Sequence, residues 1–187
     1  MTRQLGALCL LALFCTPPLH ADDERIEVEA LGLSFALPKG AKHTTTRDRC
    51  VVRFEDGSLS REIVITQLAA ERDVDAYAQK RAARFEKGPG KTLKQTLRTV
   101  DGERGYSWIE TKVATNLRID TCVVFNRYTG TLTKLQLYTE LEEFPGRRTI
   151  PPSPRDGAPS DFDRKAFEAF YALIESLDLS KRPKARK

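Results

Sequence analysis

Few residues of this 187-residue chain have the types and spacing that chemistry needs, and most of those read better as structure. Beyond residue 21 the only histidine is His43, set in the polar run Lys42-His43-Thr44-Thr45-Thr46. Zinc sites that need two or more histidines are therefore excluded, and with two cysteines a mixed Cys/His site is strained. A hydrolytic triad would have to recruit His43, and no G-x-S-x-G elbow accompanies it. Gly90-Lys91-Thr92 ends like a phosphate-binding loop, but the first glycine of that motif would fall on Phe85, in a segment that reads as helix. Carboxylate pairs occur at Glu142-Glu143 and at Asp161 with Asp163. Such pairs hydrolyse glycosides when held across a cleft; here one pair borders a loop and the other opens a helix, where acids favour the dipole. The sequence thus predicts no catalytic residue, no metal and no cofactor, and a protein that is not an enzyme.

Cys50 and Cys122 remain once residues 1–21 are set aside. In an oxidising compartment such a pair is expected to form a disulfide, closing a loop of 73 residues worth on the order of 4 kcal/mol in the chain-entropy model. The alternatives are two buried thiols or a redox pair; the absence of Cys-x-x-Cys spacing argues against the latter. Residues 1–21 supply the compartment. Arg3, the apolar run Leu5 to Phe14, and Ala21 ahead of Asp22-Asp23-Glu24 have the order of a cleaved secretory signal. The expected location is periplasmic or secreted, soluble after cleavage.

Charge points the same way. The chain carries 31 Lys and Arg against 26 Asp and Glu, yet with Arg3 and the five cations of the tail set aside, 25 basic side chains face 26 acidic ones. The basic character belongs to Lys181, Arg182, Lys184, Arg186 and Lys187, not to a nucleic-acid groove on the fold. That tail, residues 181–187, is expected to be disordered and to give weak, salt-sensitive contact with anionic lipid or another polyanion. Residues 145–160 form the other polar feature. Half of the chain's ten prolines lie there, with Arg147, Arg148 and Arg155, whose guanidinium groups can fork onto carboxylates or phosphates. A merely solvated loop is the alternative reading; as a candidate partner-binding element it combines length, rigidity and cations.

The elements that must position these groups follow from periodicity. Ile26, Val28, Ala30 and then Leu33, Phe35, Leu37 alternate as strands up to Pro38. Cys50 to Phe54 and Ile63 to Leu68 flank Glu55-Asp56-Gly57-Ser58 as a hairpin. Asp73 can cap a helix with Val74, Tyr77, Ala78, Ala82 and Phe85 on one stripe. Four further strands follow as a meander from Thr92 to Glu140, and Trp108 is expected to pack under a helix, a surface anchor being the alternative. Ser160 and Asp163 resemble a capping box ahead of a helix with a wide apolar face from Phe162 to Leu177. The prediction is one α+β domain over residues 22–180, a central antiparallel sheet covered by helices.

With the opening Leu33-Ser34-Phe35-Ala36-Leu37-Pro38 and the closing Ile174-Glu175-Ser176-Leu177-Asp178-Leu179, this order of elements resembles the PsbP-like superfamily, and within it the bacterial DcrB-type envelope proteins. The resemblance covers Ile26 to Leu179. It implies an α/β sandwich and a protein that acts by binding other proteins; the lipobox of the DcrB type is missing here. The expectation is an exported, non-enzymatic binding or accessory protein of the bacterial envelope with an unidentified envelope protein as partner. The alternative is a secreted inhibitor or immunity protein that blocks an enzyme's acidic cleft.

Overall fold

A computed structural model of the chain describes residues 24–56, 59–86, 95–112, 117–140 and 161–179. The signal at 1–21, the loop at 145–160 with Arg147, Arg148 and Arg155, the pair Glu142-Glu143 and the tail at 181–187 lie outside the described residues.

The described residues open with a small antiparallel hairpin, β1 (Arg25–Val28) and β2 (Leu33–Ala36), joined by a single 3-10 turn over Glu29–Leu31. Gly32 ends this turn at φ 62°, a left-handed backbone that glycine adopts without steric cost. Seven strands then form one antiparallel sheet: β3 (Lys42–Thr45), β4 (Arg49–Asp56), β5 (Leu59–Leu68), β6 (Thr96–Val100), β7 (Glu103–Lys112), β8 (Leu117–Asn126) and β9 (Thr131–Glu140). Their order across the sheet is β3-β4-β5-β9-β8-β7-β6. The meander thus returns from the far edge and lays β9 against β5. Helix α1 (Val74–Glu86) connects β5 to β6, and α2 (Asp161–Glu175) follows β9. The α+β class and the helix-covered antiparallel sheet are as the sequence predicts.

Local chemistry explains the element ends. Asp73 Oδ1 accepts the backbone N–H groups of Asp75 at 2.9 Å and Ala76 at 3.0 Å, satisfying two donors that the first helical turn leaves open. Between β6 and β7 the connection is only two residues long, because Val100 pairs with Glu103. Asp101 and Gly102 both take positive φ, 49° and 75°, the combination a type I′ hairpin turn requires.

Alternation along the strands gives the sheet two distinct sides. One side carries Cys50, Val52, Ile63, Ile65, Leu135, Leu137, Cys122 and Val124 against the β1–β2 hairpin and the α2 residues Ala166, Phe170, Leu173 and Ile174, all buried in one core. The other side carries Trp108, Val123 and Leu132, which pack with Val74 and Tyr77 of α1.

The expected disulfide is corrected by this register. Cys50 lies opposite Ile65, Ile65 opposite Leu135, and Leu135 opposite Cys122. The cysteines share a row and a side of the sheet but stand three strand spacings apart, about 14 Å, where a bridge needs α-carbons within about 7 Å. Both are free and buried. Sequence could find the two thiols but not the long return that inserts β5 and β9 between them.

Candidate functional site

On the side covered by α2, the charged groups are consumed by packing. Arg61 donates to Asp163 Oδ1 at 2.8 Å, with both side chains about a tenth exposed, and its guanidinium lies 5.4 Å from the Phe162 ring. Arg118 forks onto Asp120 at 2.8 and 2.9 Å and stacks 4.2 Å over Phe167. Arg98 donates to Ser107 Oγ and sits 5.2 Å over Tyr171. Three arginines from the sheet therefore each cover an aromatic ring of α2, their planar cations meeting the negative ring faces. Burial pushes the Asp120 carboxyl above its usual range, and the Arg118 fork opposes that shift. Of the acidic pair singled out in the sequence, Asp163 turns inward to Arg61 while Asp161 turns outward to Arg164 at 3.0 Å. The two share neither an environment nor a cleft.

The remaining sequence candidates resolve in the same direction. His43 sits exposed on the edge strand β3, opposite Val52. Trp108 is 3% exposed under α1, with its ring centroid 6.3 Å from that of Tyr77. Burial raises the Cys50 thiol pKa, opposed by Thr45, and raises that of Cys122 to about 12. Neither thiol is set up as a nucleophile, since reactivity requires a thiolate.

What sequence reasoning missed is the polar centre on the α1 side. Glu110, 3% exposed, accepts both arms of Arg81 at 2.8 Å and the Trp108 indole N–H at 2.8 Å. The fork ties α1 to β7. Next to this centre lies Lys134, half-buried on β9; burial lowers its ammonium pKa, the Arg81 cation adds to that, and Glu110 opposes it. The signal was present in β9 as Thr131-Leu132-Thr133-Lys134-Leu135, an alternation that puts Lys134 on the same side as Leu132. Because α1 rests on β7 and β8, the same side of β4, β5 and β9 carries half-buried Val51, Val64, Thr66, Gln136 and Tyr138. Tyr138 donates to Gln136 Oε1 at 3.0 Å, and Gln136 Nε2 reaches Thr121 Oγ1 at 3.4 Å. A shallow depression of about 390 Å³ opens at the start of α1, between Arg72, Asp73, Glu103, Arg104 and Phe125.

No family model matches the chain, and no curated protein does. Among solved structures it is similar to the Ran-binding protein Mog1p of Saccharomyces cerevisiae, with a TM-score of 0.52 at 11% identity over 86% of this chain and 96% of that one. LpqN, a protein involved in cell envelope biogenesis of Mycobacterium tuberculosis, aligns with a TM-score of 0.48 at 13% identity over 84% and 86%. A Pseudomonas aeruginosa protein of unknown function aligns at 0.41 and 13%, over 63% and 83%. Of these likenesses the first carries the comparison, and what the chain shares with Mog1p is the fold.

Proposed function

We propose that this chain is an exported, non-catalytic binding or accessory protein of the bacterial envelope, of the PsbP-like kind, that works by contact with another protein. The observation that carries the reading is the unequal covering of the sheet. On the α2 side the buried carboxylates Asp120 and Asp163 are locked onto arginines, and aromatic rings seal the surface. On the α1 side Val51, Val64, Thr66, Lys134, Gln136 and Tyr138 present a half-buried mixture of aliphatic, hydroxyl, amide and cationic groups on three adjacent strands. Such a mixture suits recognition of a polar partner surface better than transformation of a small molecule. Export rests on the pattern of residues 1–21, and the arginines of the 145–160 loop remain part of the proposed contact.

The test is a quantitative pull-down from envelope extract with wild-type protein and with Arg147, Arg148 and Arg155 changed together to alanine. Specific, saturable recovery of one protein, reduced in the triple variant at unchanged melting temperature, supports the reading. Absence of any saturable partner, together with turnover of a hydrolase substrate panel, overturns it.

A further inference from the structure

The pairing of β4, β5 and β9 arranges the open part of the α1 side in three cross-strand rows. Arg49, Thr66 and Lys134 form the first, Val51, Val64 and Gln136 the second, and Arg53, Glu62 and Tyr138 the third. The third row is satisfied internally, since Arg53 donates to Glu62 through both Nε and Nη2. The first is not. Among the described residues neither the Arg49 guanidinium nor the Lys134 ammonium makes a hydrogen bond or ion pair, and the Thr66 hydroxyl between them is buried without a partner. Glu110, which lies near enough to influence Lys134, already holds Arg81 and Trp108.

A half-buried cation without a counter-charge and a buried hydroxyl without a hydrogen bond both cost stability. Here they are neighbours, and a second unpaired cation stands on the other side of the hydroxyl. Strand spacing puts the α-carbons of Arg49 and Lys134 about 10 Å apart, a gap that two long side chains close over Thr66. The row can offer the several N–H donors of the two cations and one hydroxyl, and it lacks an acceptor of matching charge. What completes it is an oxyanion. The adjoining Val51 and Val64, half-buried and aliphatic, favour an oxyanion carried on an apolar stem over a bare inorganic ion.

We propose that Arg49, Thr66 and Lys134 form a carboxylate-binding site for an acidic segment of a partner protein, with Val51 and Val64 covering the carbon stem of the bound side chain. The proposal rests on the protein-binding reading above and names the chemistry of the partner.

The test is an amide NMR titration of the full chain with three probes: an acetylated peptide alternating glutamate and valine, its glutamine-for-glutamate counterpart, and inorganic phosphate. The glutamate peptide is expected to shift amides around Arg49, Thr66 and Lys134 saturably, more weakly as salt is raised, while the glutamine peptide does not. Arg49→Met and Lys134→Met should each weaken binding at least tenfold, with Lys80→Met, on the exposed side of α1, as an unaffected control. Equal binding of the glutamine peptide, shifts confined to other strands, or full affinity in Lys134→Met with Arg49→Met would overturn the site. Phosphate that matches the peptide in affinity at the same residues would overturn the peptide assignment in favour of a free oxyanion. A partner recovered from extract equally well by both methionine variants would remove this site and leave the protein-binding reading standing.

Discussion

The two sides of the seven-stranded sheet are built from the same alternating strands, yet one is closed and the other is not. Under α2, Phe170 and Leu173 are almost fully buried, and each surrounding charge is matched by a carboxylate or an aromatic ring. Under α1 the buried cluster is smaller, Trp108, Val123 and Leu132 with Leu68, Tyr106 and Phe125 packed against it. Beyond it lie the cations Arg49 and Lys134, which the described residues leave unmatched, while unpartnered hydroxyls occur on both sides, Thr66 here and Thr133 and Thr139 on the α2 side. The two sides differ in how far their charges are neutralised internally, and groups already held by internal partners have little left to give a ligand; that difference is what the proposed recognition surface rests on.

The largest effect that distinguishes the two sides is truncation of an apolar side chain. Phe170→Ala should cost about 3–5 kcal/mol in urea unfolding, from lost transfer energy and the cavity left behind. Val64→Ala, half-buried on the other side, should cost about 1 kcal/mol or less. Equal costs would break the comparison.

Next comes the ion pair under α2. Asp163→Ala leaves the Arg61 guanidinium buried beside Phe162 and should cost about 3 kcal/mol. Pairing it with Arg61→Met should restore most of that loss, since the two changes together leave no charge unpaired. A double variant as unstable as the single would show that the pair does more than neutralise itself.

The thiols give a sharper, kinetic version of the same contrast. With Cys122 held at a pKa of about 12 and Cys50 raised by burial, neither should react with iodoacetamide in the native protein at pH 8 on the timescale on which both are labelled in denaturant. Mass spectrometry after a timed quench reads the result, and protein that stays unlabelled in denaturant without reductant would restore the disulfide.

The smallest effect belongs to Lys134. Its ammonium has a lowered pKa in the folded chain, so its charged form penalises folding at neutral pH, and the penalty disappears as pH rises from that lowered value to the ordinary lysine pKa. Lys134→Met should therefore be slightly more stable than wild type at neutral pH, and the difference should close as the pH approaches the ordinary lysine pKa. A methionine variant less stable than wild type at neutral pH would mean that the ammonium has found a stabilising partner.

How far the sequence led differs between strands and sites. Period-two alternation placed the strands and the Asp73 cap announced the start of α1, because both depend on residues within a few positions of one another. The cysteine row was illegible for the opposite reason: it depends on β9 returning beside β5, a pairing between residues about 70 apart that no local pattern encodes. The Arg81–Glu110–Trp108 centre was hidden similarly, since its arginine and its carboxylate lie 29 residues apart on different elements. Arg49 and Lys134 lie far apart in the sequence, and only the strand order makes them neighbours across Thr66.

Residues 34 and 178 form an isolated antiparallel bridge: the Ser34 N–H donates to the Asp178 carbonyl at 2.9 Å, and the Asp178 N–H donates to the Ser34 carbonyl at 2.8 Å. Asn126 adds a second tie. Its side-chain amide donates to the carbonyls of Leu31 and Gly32, and its side-chain oxygen accepts the N–H groups of Tyr128 and Thr129 at the β8–β9 turn. The first hairpin is thus latched by residues made nearly a hundred, and then nearly a hundred and fifty, positions later. A chain emerging from a ribosome or a translocation pore in order has its opening hairpin in hand early and cannot lock it until the last helix has arrived. These ties of the first hairpin are thus long-range contacts, the kind whose loop-closure cost makes them slower to form than local ones.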